Sequence, residues 1–66
     1  MCNVKVTLIS NGTKEIIENV TQIDFDLKEI VVTTFFEPVR VLHGFKPVVV
    51  DFLEGTVVLE EQLIEE

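Results

Sequence analysis

Between Val4 and Val20 the chain alternates apolar and polar residues on either side of the dipeptide Asn11-Gly12, and this combination specifies a tight β-hairpin. Val4, Val6 and Leu8 share one side of the first strand. With Asn11 and Gly12 as the two loop residues of a type I′ turn, Val6 lies opposite Ile17 and Lys5 opposite Glu18. That register gives an apolar pair on one face and an ion pair on the other. The second strand then covers about residues 14–20.

Similar runs recur at short intervals. Ile23, Phe25 and Leu27 alternate with polar residues, which predicts a strand with one buried face, and Lys28-Glu29 makes the next turn. Ile30-Val31-Val32-Thr33-Thr34 is β-branched throughout, as expected of a strand covered on both faces, and Pro38 stops it from continuing. Extended structure resumes over Val39-Arg40-Val41-Leu42-His43. Gly44 breaks or bulges it, and Val48-Val49-Val50-Asp51-Phe52-Leu53 turns at Glu54-Gly55 into Thr56-Val57-Val58-Leu59. No segment keeps a helical period. The expected fold is therefore all-β, a small antiparallel β-barrel or rolled sheet of about six strands, with residues 1–60 as a single domain and residues 61–66 as an acidic tail.

A chain of 66 residues offsets its ordering entropy only narrowly with one small core, so some further support is expected. One cysteine cannot close a disulfide within the chain, which leaves a metal, oligomerisation or very close packing. The apolar content of 47%, rich in Val, Ile and Leu with five Phe and neither Trp nor Tyr, is that of a folded protein. No signal-like stretch or membrane-spanning apolar run is visible, so a cytoplasmic protein is expected, and the two sequons at Asn11 and Asn19 are read as chance. Five basic residues against 12 acidic ones give a net charge of −7, and Lys5, Lys14, Lys28, Arg40 and Lys46 are scattered. Such a surface disfavours nucleic acid and anionic membranes and permits a cationic metal or a basic protein partner.

Catalysis is poorly supplied. The chain has no Ser/His/Asp spacing, no HExxH pair and no glycine-rich phosphate loop, so it is not read as an enzyme. Asp24 and Asp26 point to one face of a strand, where paired acids are usually solvated surface. His43 continues the face of Val39 and Val41 and reads first as a core or surface residue, with a supplementary ligand role second.

Cys2 is more informative, because it follows the initiator Met directly and precedes the first strand. Met is commonly removed before a residue as small as Cys. A free amine with a pKa of about 7.7 to 8.0 would then stand beside a thiol with a pKa of about 8.5 on one residue. Both lose protons on binding metal. Together with a deprotonated Asn3 backbone amide they form an N/S donor set of the kind that favours square-planar Ni(II) or Cu(II). One chain cannot complete such a site, whereas a two-fold homodimer that brings two Cys2 residues together can.

Met1-Cys2 leading into Val4-Lys5-Val6-Thr7-Leu8-Ile9, then the Asn11-Gly12 turn and an acidic second strand, resembles the CooT family of nickel-binding proteins, formerly often labelled predicted RNA-binding proteins. The similarity runs on through Ile30-Val31-Val32-Thr33-Thr34, Phe36-Glu37, Val50-Asp51-Phe52-Leu53 and Val58-Leu59-Glu60, covering about residues 1–60. It implies a homodimeric nickel chaperone for carbon monoxide dehydrogenase, with Cys2 as the metal ligand. Only Cys2 carries over residue by residue. Phe35-Phe36-Glu37-Pro38 departs from the family pattern, where a Phe-Gly-Glu turn is more usual, and so does the longer acidic end.

The expected metal residues are thus Cys2 and Asn3, the cofactor Ni(II), and the partners a second copy and a metalloenzyme client. Two alternatives remain. Small β-barrels often bind single-stranded nucleic acid, but here the charge is wrong and the phenylalanines sit mostly in apolar runs that read as core. A metal-independent interaction subunit could use adjacent Phe35 and Phe36, only one of which can face the core of a regular strand.

Overall fold

The computed structural model describes residues 4–62. Six strands follow one another as β1 (Val4–Ser10), β2 (Thr13–Phe25), β3 (Glu29–Thr34), β4 (Arg40–His43), β5 (Phe45–Asp51) and β6 (Thr56–Glu61). They form one sheet in the order β4-β3-β2-β1-β6-β5, with no helix among the described residues.

The first hairpin follows the sequence pattern. Asn11 and Gly12 both have positive φ, 54° and 76°, as a type I′ turn requires, and Val6 faces Ile17. The register then shifts by one residue so that Val4 faces Val20, and the expected Lys5–Glu18 ion pair does not form. Asn19 absorbs the extra residue at a φ of 61°, a left-handed conformation that Asn tolerates better than most side chains. Its carbonyl accepts the Phe35 N–H at 3.2 Å. Here β2 bends: its first half pairs with β1, and its second half, from Gln22 to Phe25, pairs with β3.

The bend produces a roll. The outer strands β4 and β5 lie at opposite edges, and the edges of a flat six-stranded sheet would be about 24 Å apart. Yet Gly44 alone separates them in sequence, and two peptide links span at most about 7 Å. The sheet therefore curls until its edges meet at Gly44, whose φ of 78° makes the corner, and the Gly44 carbonyl accepts the Gln62 N–H at 2.6 Å. Away from this corner the edges are not hydrogen-bonded to each other, so the sheet does not close into a barrel.

One pairing departs from the antiparallel expectation: β1 and β6 are parallel, with Val6 beside Val57 and Leu8 beside Leu59. The corner explains it. Because β5 continues the sense of β4 on the far edge, β6 reverses that sense and returns beside β1 pointing the same way.

The core is Val6, Leu8, Ile17, Val20, Ile30, Val32, Leu42, Val57 and Leu59, with Val4, Ile23 and Phe45 packed partly against it. Every strand except β5 supplies a fully buried side chain. No polar side chain is buried among the described residues, so apolar burial carries the folding free energy. Two expectations about this core are corrected. Leu27 lies in the β2–β3 turn and is 99% exposed, with Phe25 half-exposed before it, because β2 leaves the sheet at Phe25. Of the five phenylalanines only Phe45 packs against the core, since so small a roll has no room for the others.

Candidate metal centre

The expected ligands Cys2 and Asn3 lie outside the described residues. The described residues begin at Val4. Val4 starts β1 beside the bend of β2, facing Val20 on one side. On the other side the Lys5 N–H donates to the Gly55 carbonyl at 2.9 Å. Val4 also lines a cavity of about 380 Å³ between the second half of β2 and the end of β5, with Ile23, Phe25, Val50, Phe52 and Val57. This is an open mouth of the roll, lined by β1, the second half of β2, β6 and the end of β5.

His43 is placed elsewhere. It ends β4 at the Gly44 corner, faces Glu29 in the β3 ladder and is exposed. Since Gly44 bonds to Gln62 and Lys5 to Gly55, the length of β6 separates His43 from Val4, about 20 Å at roughly 3.3 Å per residue. Among the described residues, His43 and Val4 thus stand at opposite ends of β6. Among the described residues no three His, Cys, Asp or Glu side chains are grouped to hold a metal ion.

The acids on the wet faces have local structural tasks. The Gln22 amide donates to the Asp24 carboxylate at 2.9 Å. Asp26 accepts the Leu27 N–H at 2.9 Å and donates its own N–H to the Glu29 carbonyl, holding the turn. Asp51 accepts the N–H groups of Leu53 and Glu54 at 3.1 and 3.0 Å, which builds the β5–β6 turn in the manner of an Asx cap. Ser10 donates to the Glu61 carboxylate.

The ion pair among the described residues is Arg40 with Glu15, at 3.0 Å across the roll. Hydrogen bonding to Arg40, reinforced by its charge, holds the Glu15 carboxyl below the usual carboxylate range, and the same hydrogen bond raises Arg40. The pair lines a polar groove with Asn19, Thr34, Phe36 and Glu37. A further groove at the Gly44 corner contains Lys28 and Lys46, but Asp26 and Glu29 line it too, so it is not a basic channel.

Sequence reasoning missed the mouth. Phe25, Val50 and Phe52 read as interior residues, although Phe52 and Leu53 adjoin the Glu54-Gly55 turn, and that adjacency was the available signal for exposure. The Phe35-Phe36 pair is more exposed than expected. Both rings lie in the β3–β4 loop, off any strand, with centroids 5.8 Å apart and Phe36 84% exposed. No family model matches the chain, and no curated protein matches its sequence. No helix is long and apolar enough to cross a membrane among the described residues.

Proposed function

We propose that this chain is a nickel-binding metallochaperone or nickel store, in which two copies share one Ni(II) through Cys2 for delivery to a metalloenzyme such as carbon monoxide dehydrogenase. The observation that carries the reading is the Met1-Cys2 start placed immediately ahead of β1, together with the seating of Val4 on the rim of an exposed apolar mouth. Cys2 would supply the thiolate and, once Met1 is removed, the amine, and Asn3 its backbone nitrogen. The resemblance to the CooT family supports nickel over copper. The net charge of −7 favours a cation and disfavours nucleic acid, and Arg40, one of the five basic residues, is already engaged by Glu15. Nickel titration of the reduced protein and of Cys2→Ser tests the reading: the variant should keep its fold and lose tight binding.

A second reading is favoured by one observation. Phe35 and Phe36 present two adjacent, exposed rings, tilted 43° to each other, on a loop, a feature suited to a protein partner independent of metal. Under that reading the double substitution Phe35→Ser and Phe36→Ser abolishes complex formation with the partner, while Cys2→Ser leaves it intact.

A further inference from the structure

We infer that Asn11 is a self-modification site, converted by intramolecular attack to aspartate and isoaspartate, and that the folded hairpin holds this reaction off. Asn11 and Gly12 form the exposed loop between β1 and β2. Glycine has no side chain to shield its amide nitrogen, so Gly12 leaves that nitrogen open to the Asn11 side chain. The step balances with water as the one co-reactant. The Gly12 nitrogen loses its proton and bonds to Asn11 Cγ, the Cγ–Nδ2 bond breaks, and ammonia leaves with that proton. Water then opens the five-membered imide. Attack at Cγ gives aspartate. Attack at the Asn11 backbone carbonyl carbon gives isoaspartate, in which the main chain runs through the side chain and is one carbon longer.

The geometry of the turn opposes ring closure. The imide requires the Gly12 nitrogen and the Asn11 Cβ to eclipse about the Asn11 Cα–C bond. With φ of 54° at Asn11 and 76° at Gly12, the turn is of type I′, whose first central residue has a ψ of about +30°. For an L-residue that ψ turns the Gly12 nitrogen almost to the opposite side of the bond. The Thr13 hydroxyl clasps the loop by donating to the Ser10 carbonyl at 2.7 Å, where Ser10 faces Thr13 in the ladder. Conversion therefore proceeds from the open hairpin, at a rate set by the fraction of chains that are open. Asn19 also has a positive φ, 61°, but buried Val20 follows it, and a side chain branched at Cβ crowds the attacking nitrogen.

The two products differ in what they do to the fold. Aspartate adds a carboxylate to a cleft that already holds Glu60 and Glu61, but all three positions are exposed, where repulsion is weak. Asp-Gly also suits a type I′ turn. Isoaspartate instead lengthens a two-residue loop by one backbone carbon, which is incompatible with the turn and the Ser10–Thr13 pairing together. A chain that opens and converts this way loses the turn that sets the register of β1 and β2.

The inference rests on the hairpin alone, so it stands or falls apart from the nickel reading. The test incubates the full chain in heavy-oxygen water at mildly alkaline pH, native and in urea, and follows conversion by mass spectrometry with fragmentation that separates isoaspartate from aspartate. The label should enter at residue 11 and not at Asn19, about tenfold or more slowly in the native chain than in urea. Thr13→Val, which removes the clasp at constant shape, should speed the native reaction and leave the rate in urea unchanged. The isolated isoaspartate chain should melt at least about 5 °C below Asn11→Asp, which should melt close to wild type. Equal rates in the native chain and in urea, conversion at Asn19 in place of Asn11, a native rate unmoved by Thr13→Val, or an isoaspartate chain as stable as Asn11→Asp would overturn the inference.

Discussion

Leu59 and Leu27 are both leucines in alternating apolar runs, and the structure separates them completely. Leu59 is 0% exposed, beside Leu8 in the parallel ladder and opposite Pro47, while Leu27 is 99% exposed in a turn. Leu59→Ala removes a fully enclosed isobutyl group from a core of nine buried side chains, with little freedom for the surrounding strands to collapse into the space. The expected loss is about 3 kcal/mol, within the roughly 2–5 kcal/mol range for buried leucines. In a domain of this size about 1 kcal/mol corresponds to roughly 4–8 °C, so Tm should fall by about 15 °C. Leu27→Ala should change stability by less than about 0.5 kcal/mol. Urea and thermal unfolding followed by far-ultraviolet circular dichroism measure both, at one fixed protein concentration. A loss below about 1 kcal/mol for Leu59→Ala, or an equal loss at Leu27, would refute the placement of the core.

Gly44→Ala should cost about 1–2 kcal/mol, because φ is +78° at the corner while nothing lies within 4 Å of the added carbon, so the penalty is conformational and not steric crowding. Glu15→Gln should cost only a few tenths of about 1 kcal/mol near neutral pH, since both partners are largely solvated. Because Arg40 depresses the folded-state pKa of Glu15, the contribution is full above the unfolded carboxylate pKa and disappears as pH falls through the depressed value. The variant and wild type should therefore converge in acid, and carboxyl NMR should show the Glu15 midpoint rising in Arg40→Leu.

The fold was legible where local signals agree. Asn11-Gly12 fixed the turn and hence the facing of Val6 and Ile17, and the β-branched run from Ile30 gave β3. The parallel pairing of β1 with β6 was not legible, because it depends on the sheet curling at Gly44, a tertiary event that alternation does not encode. Alternation also assigns a face without saying whether anything covers it. That is why Leu42 is buried and Leu27, Phe25 and Phe52 are not. The proposed ligand Cys2 lies outside the described residues, and the apolar mouth beside Val4 depends on the bend at Asn19, a residue whose sequence context resembled an ordinary strand.

The most direct test of the nickel reading is titration of reduced, Met1-processed protein with Ni(II), following thiolate-to-nickel charge-transfer absorption and native mass together. Saturation at one nickel per two chains, with the absorption lost in Cys2→Ser, is the expected result. Failure of the reduced protein to bind nickel, or undiminished affinity in Cys2→Ser, would contradict it.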